Sequence, residues 1–126
     1  MYSVSKRMEI AGCHHLSLDY KSPCERMHGH NWIVTVTVEG ETLNQNEILM
    51  DFKMIKESIH GKLDHENLSE LFEFNPTAER IAQWIFEELQ TRLNIEWFDL
   101  PMAYDTPHVV EVKVQESEGN IACYRN

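Results

Sequence analysis

Apolar and polar residues alternate imperfectly from Tyr2 to His14, through Val4, Lys6, Met8, Ile10 and Gly12. A period of two predicts an opening strand, with His14 on the face of Ile10. From Leu16 to Met27 the pattern gives way to Ser, Asp, Lys and Pro23, so a loop carrying Cys24 is expected. The run Trp32-Ile33-Val34-Thr35-Val36-Thr37-Val38 is dense in β-branched and aromatic side chains and stops at Glu39-Gly40, which reads as a second strand. A polar, hairpin-like stretch from Glu41 to Glu47 follows, and then a short extended piece from Ile48 to Met50.

The period then changes. Phe52, Ile55, Ile59 and Leu63 recur at helical spacing behind Asp51, a suitable N-cap. Asn75-Pro76-Thr77-Ala78-Glu79 opens a second helix whose apolar stripe is Ile81, Trp84, Ile85, Leu89 and Leu93. His108 to Ser117 alternates again, with Val110, Val112 and Val114 on one face. Glu118-Gly119-Asn120 turns the chain into a return strand from Ile121 to Tyr124. The order β-β-α-α-β-β predicts an α+β fold: one domain over residues 1–126, with a four-stranded antiparallel sheet and two helices packed on one face.

Composition narrows the function. Of the 126 residues, 42% are hydrophobic and 25% charged, the balance of an ordinary soluble domain. Stretches such as Ile81 to Phe86 fall far short of the ~20 apolar residues a membrane span requires. The first residues lack the apolar core of a signal peptide, so no membrane partner and a cytoplasmic location are expected. The net charge of -10 and the lack of a basic run disfavour a nucleic-acid partner. An anionic small molecule would need a local positive site, which a divalent metal can supply. Three scattered cysteines, Cys13, Cys24 and Cys123, argue against a disulfide framework.

The strongest chemical signal is Cys24-Glu25-Arg26-Met27-His28-Gly29-His30. His28 and His30 stand at i and i+2 at the start of an extended run, so their imidazoles point the same way and can converge on one ion. A third ligand from the neighbouring strand end, His14 or His15, would leave one coordination position open, the arrangement of a catalytic zinc. Three roles compete for Cys24: fourth ligand, nucleophile or base beside the metal, or inert buried thiol. Asp64-His65, after the first helix, can act as an oriented acid-base pair or as a polar helix end. Glu116 shares the parity of Val110, Val112 and Val114 and should face inward. There it would accept hydrogen bonds from an amidine-like edge or pair with a Lys or Arg.

Taken in order, these pieces resemble the 6-pyruvoyltetrahydropterin synthase superfamily, and within it the bacterial 6-carboxytetrahydropterin synthases of queuosine biosynthesis. The likeness spans nearly the whole chain. Ile10-Ala11-Gly12-Cys13-His14-His15-Leu16 is similar to the family's Phe-x-Ala-Ala-His-x-Leu, and Cys24 to His30 matches its Cys-x-x-x-His-Gly-His in full. Asp51 to Lys56 resembles Asp-Phe-x-x-Leu-Lys, Leu63 to Leu68 resembles Leu-Asp-His-x-x-Leu, and Asn75 to Glu79 resembles Asn-Pro-Thr-x-Glu. Ile10 in place of Phe, and Gly12-Cys13 in place of the alanine pair, are departures at the edge of the pocket.

The resemblance implies a tunnelling fold assembled as a homohexamer, a dimer of trimers. It implies Zn(II) on His14, His28 and His30, with Cys24, Asp64 and His65 as catalytic residues and Glu116 holding the pterin. The implied reaction converts 7,8-dihydroneopterin triphosphate to 6-carboxy-5,6,7,8-tetrahydropterin, acetaldehyde and triphosphate. The three-residue gap between Cys24 and His28 favours this branch over the pyruvoyl-forming one, which remains the alternative together with other pterin side-chain lyases. Lys21, Arg26 or residues of a neighbouring subunit are candidates for meeting the triphosphate.

Overall fold

Strands β1 (Tyr2–His14) and β2 (His28–Gly40) pair antiparallel along their full length, from Tyr2 opposite Gly40 to His14 opposite His28, in a computed structural model that describes residues 1–101 and 104–126. The alternation read in β1 is realised. Met8, Ile10 and His14 are buried, and along β2 the even residues Trp32, Val34, Val36 and Val38 face the same way. β2 begins at His28, earlier than the apolar run marked it, so both histidines lie within the strand and share the face of Trp32.

A single 3-10 turn (Pro23–Glu25) interrupts the loop between these strands. After β2 come α1 (Phe52–Leu63), β3 (Glu66–Asn67), α2 (Leu68–Leu71), α3 (Ala78–Trp97), β4 (His108–Ser117) and β5 (Asn120–Arg125). Asp51 caps α1 by accepting from the Lys53 amide, and Thr77 caps α3 by accepting from the Arg80 amide. Both helix starts therefore follow the sequence reading. α3 lies against β4 and β5, and α1 against β1. Ile55, Ile59 and Leu63 meet Ile81, Ile85, Leu89 and Leu93 in one core, each fully buried aliphatic contributing about 1.5–3 kcal/mol.

Four expectations need correction. The sheet has five strands in the order β3-β1-β2-β4-β5, not four, and β3 runs parallel to β1 through Gly12 opposite Glu66 and Cys13 opposite Asn67. A two-residue strand is too short to show a period of two. The helices number three among the described residues, because α2 is a four-residue turn with only Leu68 buried. In β4 the inward residues are Val109, Val112 and Val114. Val110 sits in a bulge where β2 steps from Thr37 opposite Glu111 to Val38 opposite Val109. Phe52, counted in the α1 stripe, is exposed.

Among the described residues no helix covers the face that carries the exposed Ser3, Ser5, Arg7 and Glu9, β5 is an outer edge, and β1 is covered on its outer side only where β3 pairs with it. No helix of the described residues is long and apolar enough to cross a membrane.

Candidate metal centre and active site

The β1–β2 register decides the arrangement. His14 and His28 are direct cross-strand neighbours, and His30 stands opposite Gly12. Their rings meet edge to face, with centroids 4.6 Å apart for His14 and His28, 5.2 Å for His14 and His30, and 4.9 Å for His28 and His30. Trp32 forms the floor, edge-on to His14 and His30, its indole N–H donating to the Gly12 carbonyl at 3.2 Å. From β4, Glu116 brings a carboxylate oxygen to 2.9 Å from His30 Nε2 and 3.5 Å from His14 Nε2. One ligand atom from each of His14, His28, His30 and Glu116 lies within 4.8 Å of the other three.

The far sides of two rings are anchored. His14 Nδ1 donates to the Pro76 carbonyl at 2.8 Å and His28 Nδ1 to the Arg26 carbonyl at 2.6 Å. A carbonyl can only accept, so these bonds put the ring proton on Nδ1 and leave Nε2 with a lone pair aimed at the cluster. Asn75 steadies this support with two bonds to Ser17, one from its amide to the Ser17 carbonyl and one from the Ser17 amide to its oxygen. The Asn75-Pro76-Thr77 segment, read in the sequence as a helix start and a family motif, thus also holds a candidate ligand.

The Nε2 atoms of His14 and His30 are buried without a hydrogen-bond partner, since the Glu116 oxygen is near them but not aligned to receive a ring proton. Each such orphan costs about 1–3 kcal/mol. Lone pairs and a carboxylate oxygen crowded this closely repel unless positive charge lies among them. A proton is disfavoured on His14, whose pKa burial pushes below its ordinary 6.5 against the pull of the Pro76 carbonyl. Three imidazole nitrogens beside a carboxylate oxygen are the donor types a divalent ion such as zinc takes. The residues present therefore fit a metal.

His15, the rival to His14, is outside this group, its amide donating to Ser69 Oγ at 2.9 Å. Cys24 is also outside it. The 3-10 turn holds Cys24 half-buried, and its carbonyl accepts from the Leu16 amide at 2.8 Å, tying the loop back to the end of β1. Asp64 caps the end of α1. Its Oδ1 accepts from the Ala11 amide at 3.0 Å and its Oδ2 from His65 Nδ1 at 2.8 Å. His65 takes a left-handed backbone, φ 61°, and its ring is largely exposed. A cavity of about 580 Å³ has both His30 and His65 in its wall, while His14, His28, Glu116 and Asp64 do not line it. On the opposite side Glu116 borders a second cavity of about 420 Å³, with the start of α3 and the β4–β5 turn. Lys21 and Arg26 make no recorded ion pair among the described residues.

Sequence reasoning placed Glu116 inward but did not bring it to the histidines. That neighbourhood depends on the β2–β4 register and on a second bulge between Gln115 and Ser117. The Ala11 amide, first among the influences on Asp64, holds its carboxyl below the ordinary 3.8, with the His65 bond adding to it. A depressed carboxyl stabilises the fold above its unfolded value and loses that contribution as pH falls through the folded value. Thermal melting from pH 5 to pH 2.5 should therefore show a smaller acid-induced decline in Asp64→Asn than in the parent. Parallel curves would refute this.

A family model described as 6-pyruvoyl tetrahydropterin synthase matches residues 3–126. The chain is similar to the 6-carboxy-5,6,7,8-tetrahydropterin synthase of Bacillus subtilis, 28% identical over 131 residues, which covers 98% of this chain and 85% of that protein. Dihydroneopterin monophosphate aldolase of Pyrococcus furiosus is 40% identical over 72 residues, 55% of this chain and 60% of the other. The structure of 6-pyruvoyl tetrahydropterin synthase from Caenorhabditis elegans superposes with a TM-score of 0.70 at 21% identity, covering 99% of this chain and 95% of that one, a likeness of fold.

Proposed function

The chain belongs to the 6-pyruvoyl tetrahydropterin synthase family, and from that premise we propose that it is a zinc-dependent 6-carboxy-5,6,7,8-tetrahydropterin synthase. Its substrate is 7,8-dihydroneopterin triphosphate, and it releases acetaldehyde and triphosphate in the formation of 7-deazaguanine precursors. The observation that carries the reading is the convergence of His14, His28, His30 and Glu116 within 4.8 Å, two of the ring nitrogens buried and unpartnered. The three imidazoles suit a borderline-soft ion that needs no redox change and keeps one position open, and zinc is that ion, with the Glu116 carboxylate beside it. When bound, it polarises oxygens of the substrate side chain and acidifies the C–H and O–H bonds beside them.

The protein's own groups supply the rest. Cys24 moves protons on one face of the side chain. His65 serves the other face, oriented by the Asp64 carboxylate that holds its Nδ1–H and so leaves Nε2 toward the cavity it shares with His30. Glu116 takes the pterin 2-amino and ring N–H edge by paired charge-assisted hydrogen bonds. Its place between the histidines and the second cavity supports that use. The side-chain carbon that ends as a carboxyl starts with one oxygen, so a water must supply the second.

Two open sheet edges and an uncovered sheet face support assembly into a homohexamer, a dimer of trimers. A monomer at micromolar concentration by light scattering would contradict it.

Incubation of the purified protein with 7,8-dihydroneopterin triphosphate is expected to yield acetaldehyde in step with 6-carboxytetrahydropterin. A pyruvoyl product without acetaldehyde overturns the reading in favour of pyruvoyl-forming chemistry.

A further inference from the structure

Asp64 faces a second imidazole. Its backbone N–H donates to the His60 carbonyl at 2.9 Å, so the last turn of α1 sets the His60 side chain one turn below it. The carboxylate's Oδ1 is taken by the Ala11 amide. Its Oδ2 receives His65 Nδ1–H at 2.8 Å and stands 3.6 Å from His60 Nε2. That distance is too long for a hydrogen bond but short enough for an ion pair. The contact is therefore latent while His60 is neutral and forms when it gains a proton. Of the other charged groups nearby, Lys56 on α1 and Glu66, which lines the cavity with His65, make no ion pair among the described residues. Lys62 on the same helix is paired with Glu88 of α3, and β1 offers Asp64 only the uncharged Ala11 amide.

We propose that His60 is a positioning residue that sets, through the shared Oδ2 of Asp64, how readily His65 carries a proton during turnover. The inference rests on the reading of His65 as an acid-base group. A charged His60 draws on the negative charge of Asp64 and leaves less of it to steady a charged His65. The two imidazoles therefore protonate at each other's expense. This geometry needs a histidine at i and an Asp-His pair at i+4 and i+5, as His60, Asp64 and His65 provide.

Two substitutions separate this role from a structural one. His60→Lys places a permanent cation near Oδ2, and His60→Gln a permanently neutral group. In the metal-loaded enzyme the midpoint of the His65-dependent limb of the kcat profile is expected to move by about half a pH unit. The shift should run toward acid in His60→Lys and toward alkali in His60→Gln, with KM and bound metal unchanged. A residue that merely braces the end of α1 would alter stability or kcat and leave both midpoints in place. Unmoved midpoints, or midpoints that move in the same direction, overturn the inference. Ring-proton titration of His65 by NMR in the same variants reads the coupling without turnover and should show the same opposed shifts. His65→Ala keeps the two readings apart. If it retains full activity, the acid-base role of His65 fails and the ring titration alone judges the coupling. If it loses activity while the His60 midpoints stay put, only the His60 inference fails.

Discussion

Replacing His28 by alanine is expected to remove bound metal and pterin turnover together. His28 faces His14 directly across the β1–β2 ladder, and its Nδ1 is committed to the Arg26 carbonyl, so its Nε2 is free for an ion. Without it only His14 and His30 remain once Glu116 is engaged by the pterin, too few protein ligands for a tightly held catalytic zinc. The loss should exceed the roughly 10–100-fold that accompanies removal of an outer partner of a metal ligand. Metal content by mass spectrometry and acetaldehyde release measure the two effects. His15→Ala is the matched control: its imidazole lies outside the cluster, so metal and turnover should both survive. If His28→Ala retains one zinc per chain and parent activity, the ligand set is wrong. If His15→Ala loses the metal instead, the third ligand is misassigned.

Cys24→Ala should separate what His28→Ala joins. The thiol is outside the group of ligand atoms and half-buried in a turn held by backbone bonds to Leu16 and to the Ser22 side chain. Its loss should leave the metal and the fold intact. Removal of a positioned proton-transfer group lowers the rate by about 10²–10⁴-fold, and kcat is expected to fall by that much in the zinc-loaded variant. Cys123→Ala, on the exposed edge strand, should change nothing. Full activity in zinc-loaded Cys24→Ala would remove the thiol from the mechanism. A variant that loses its zinc would instead make Cys24 a ligand, the arrangement of a closed, non-catalytic site.

Local order was well represented in the residue pattern, for a physical reason. Strand and helix periodicities, N-caps and turn residues act over a few residues, so β1, the apolar part of β2, both long helix starts at Asp51 and Thr77, and the β4–β5 turn were legible. Very short elements were not. β3 and α2 offer two and four residues, and both depend on β1 being already in place beside them. The parity error in β4 has a similar origin, because a bulge is set by the partner strand, and period counting within one strand cannot see it.

By itself the sequence determined that His28 and His30 point one way, that His14 shares a face with Ile10, and that Asp64 stands beside His65. These are consequences of backbone period and adjacency. Tertiary structure alone decided that His14 rather than His15 meets them, since that follows from the cross-strand register. It also decided that Glu116 reaches the same point from β4, that the Pro76 carbonyl holds the His14 ring, and that His60 faces the oxygen of Asp64 already bound to His65. Each of these contacts is a matter of ångströms between side chains or backbone groups, the first two joining segments far apart in sequence. Such distances are set by strand register, bulges and helix ends, which no local pattern of residues encodes.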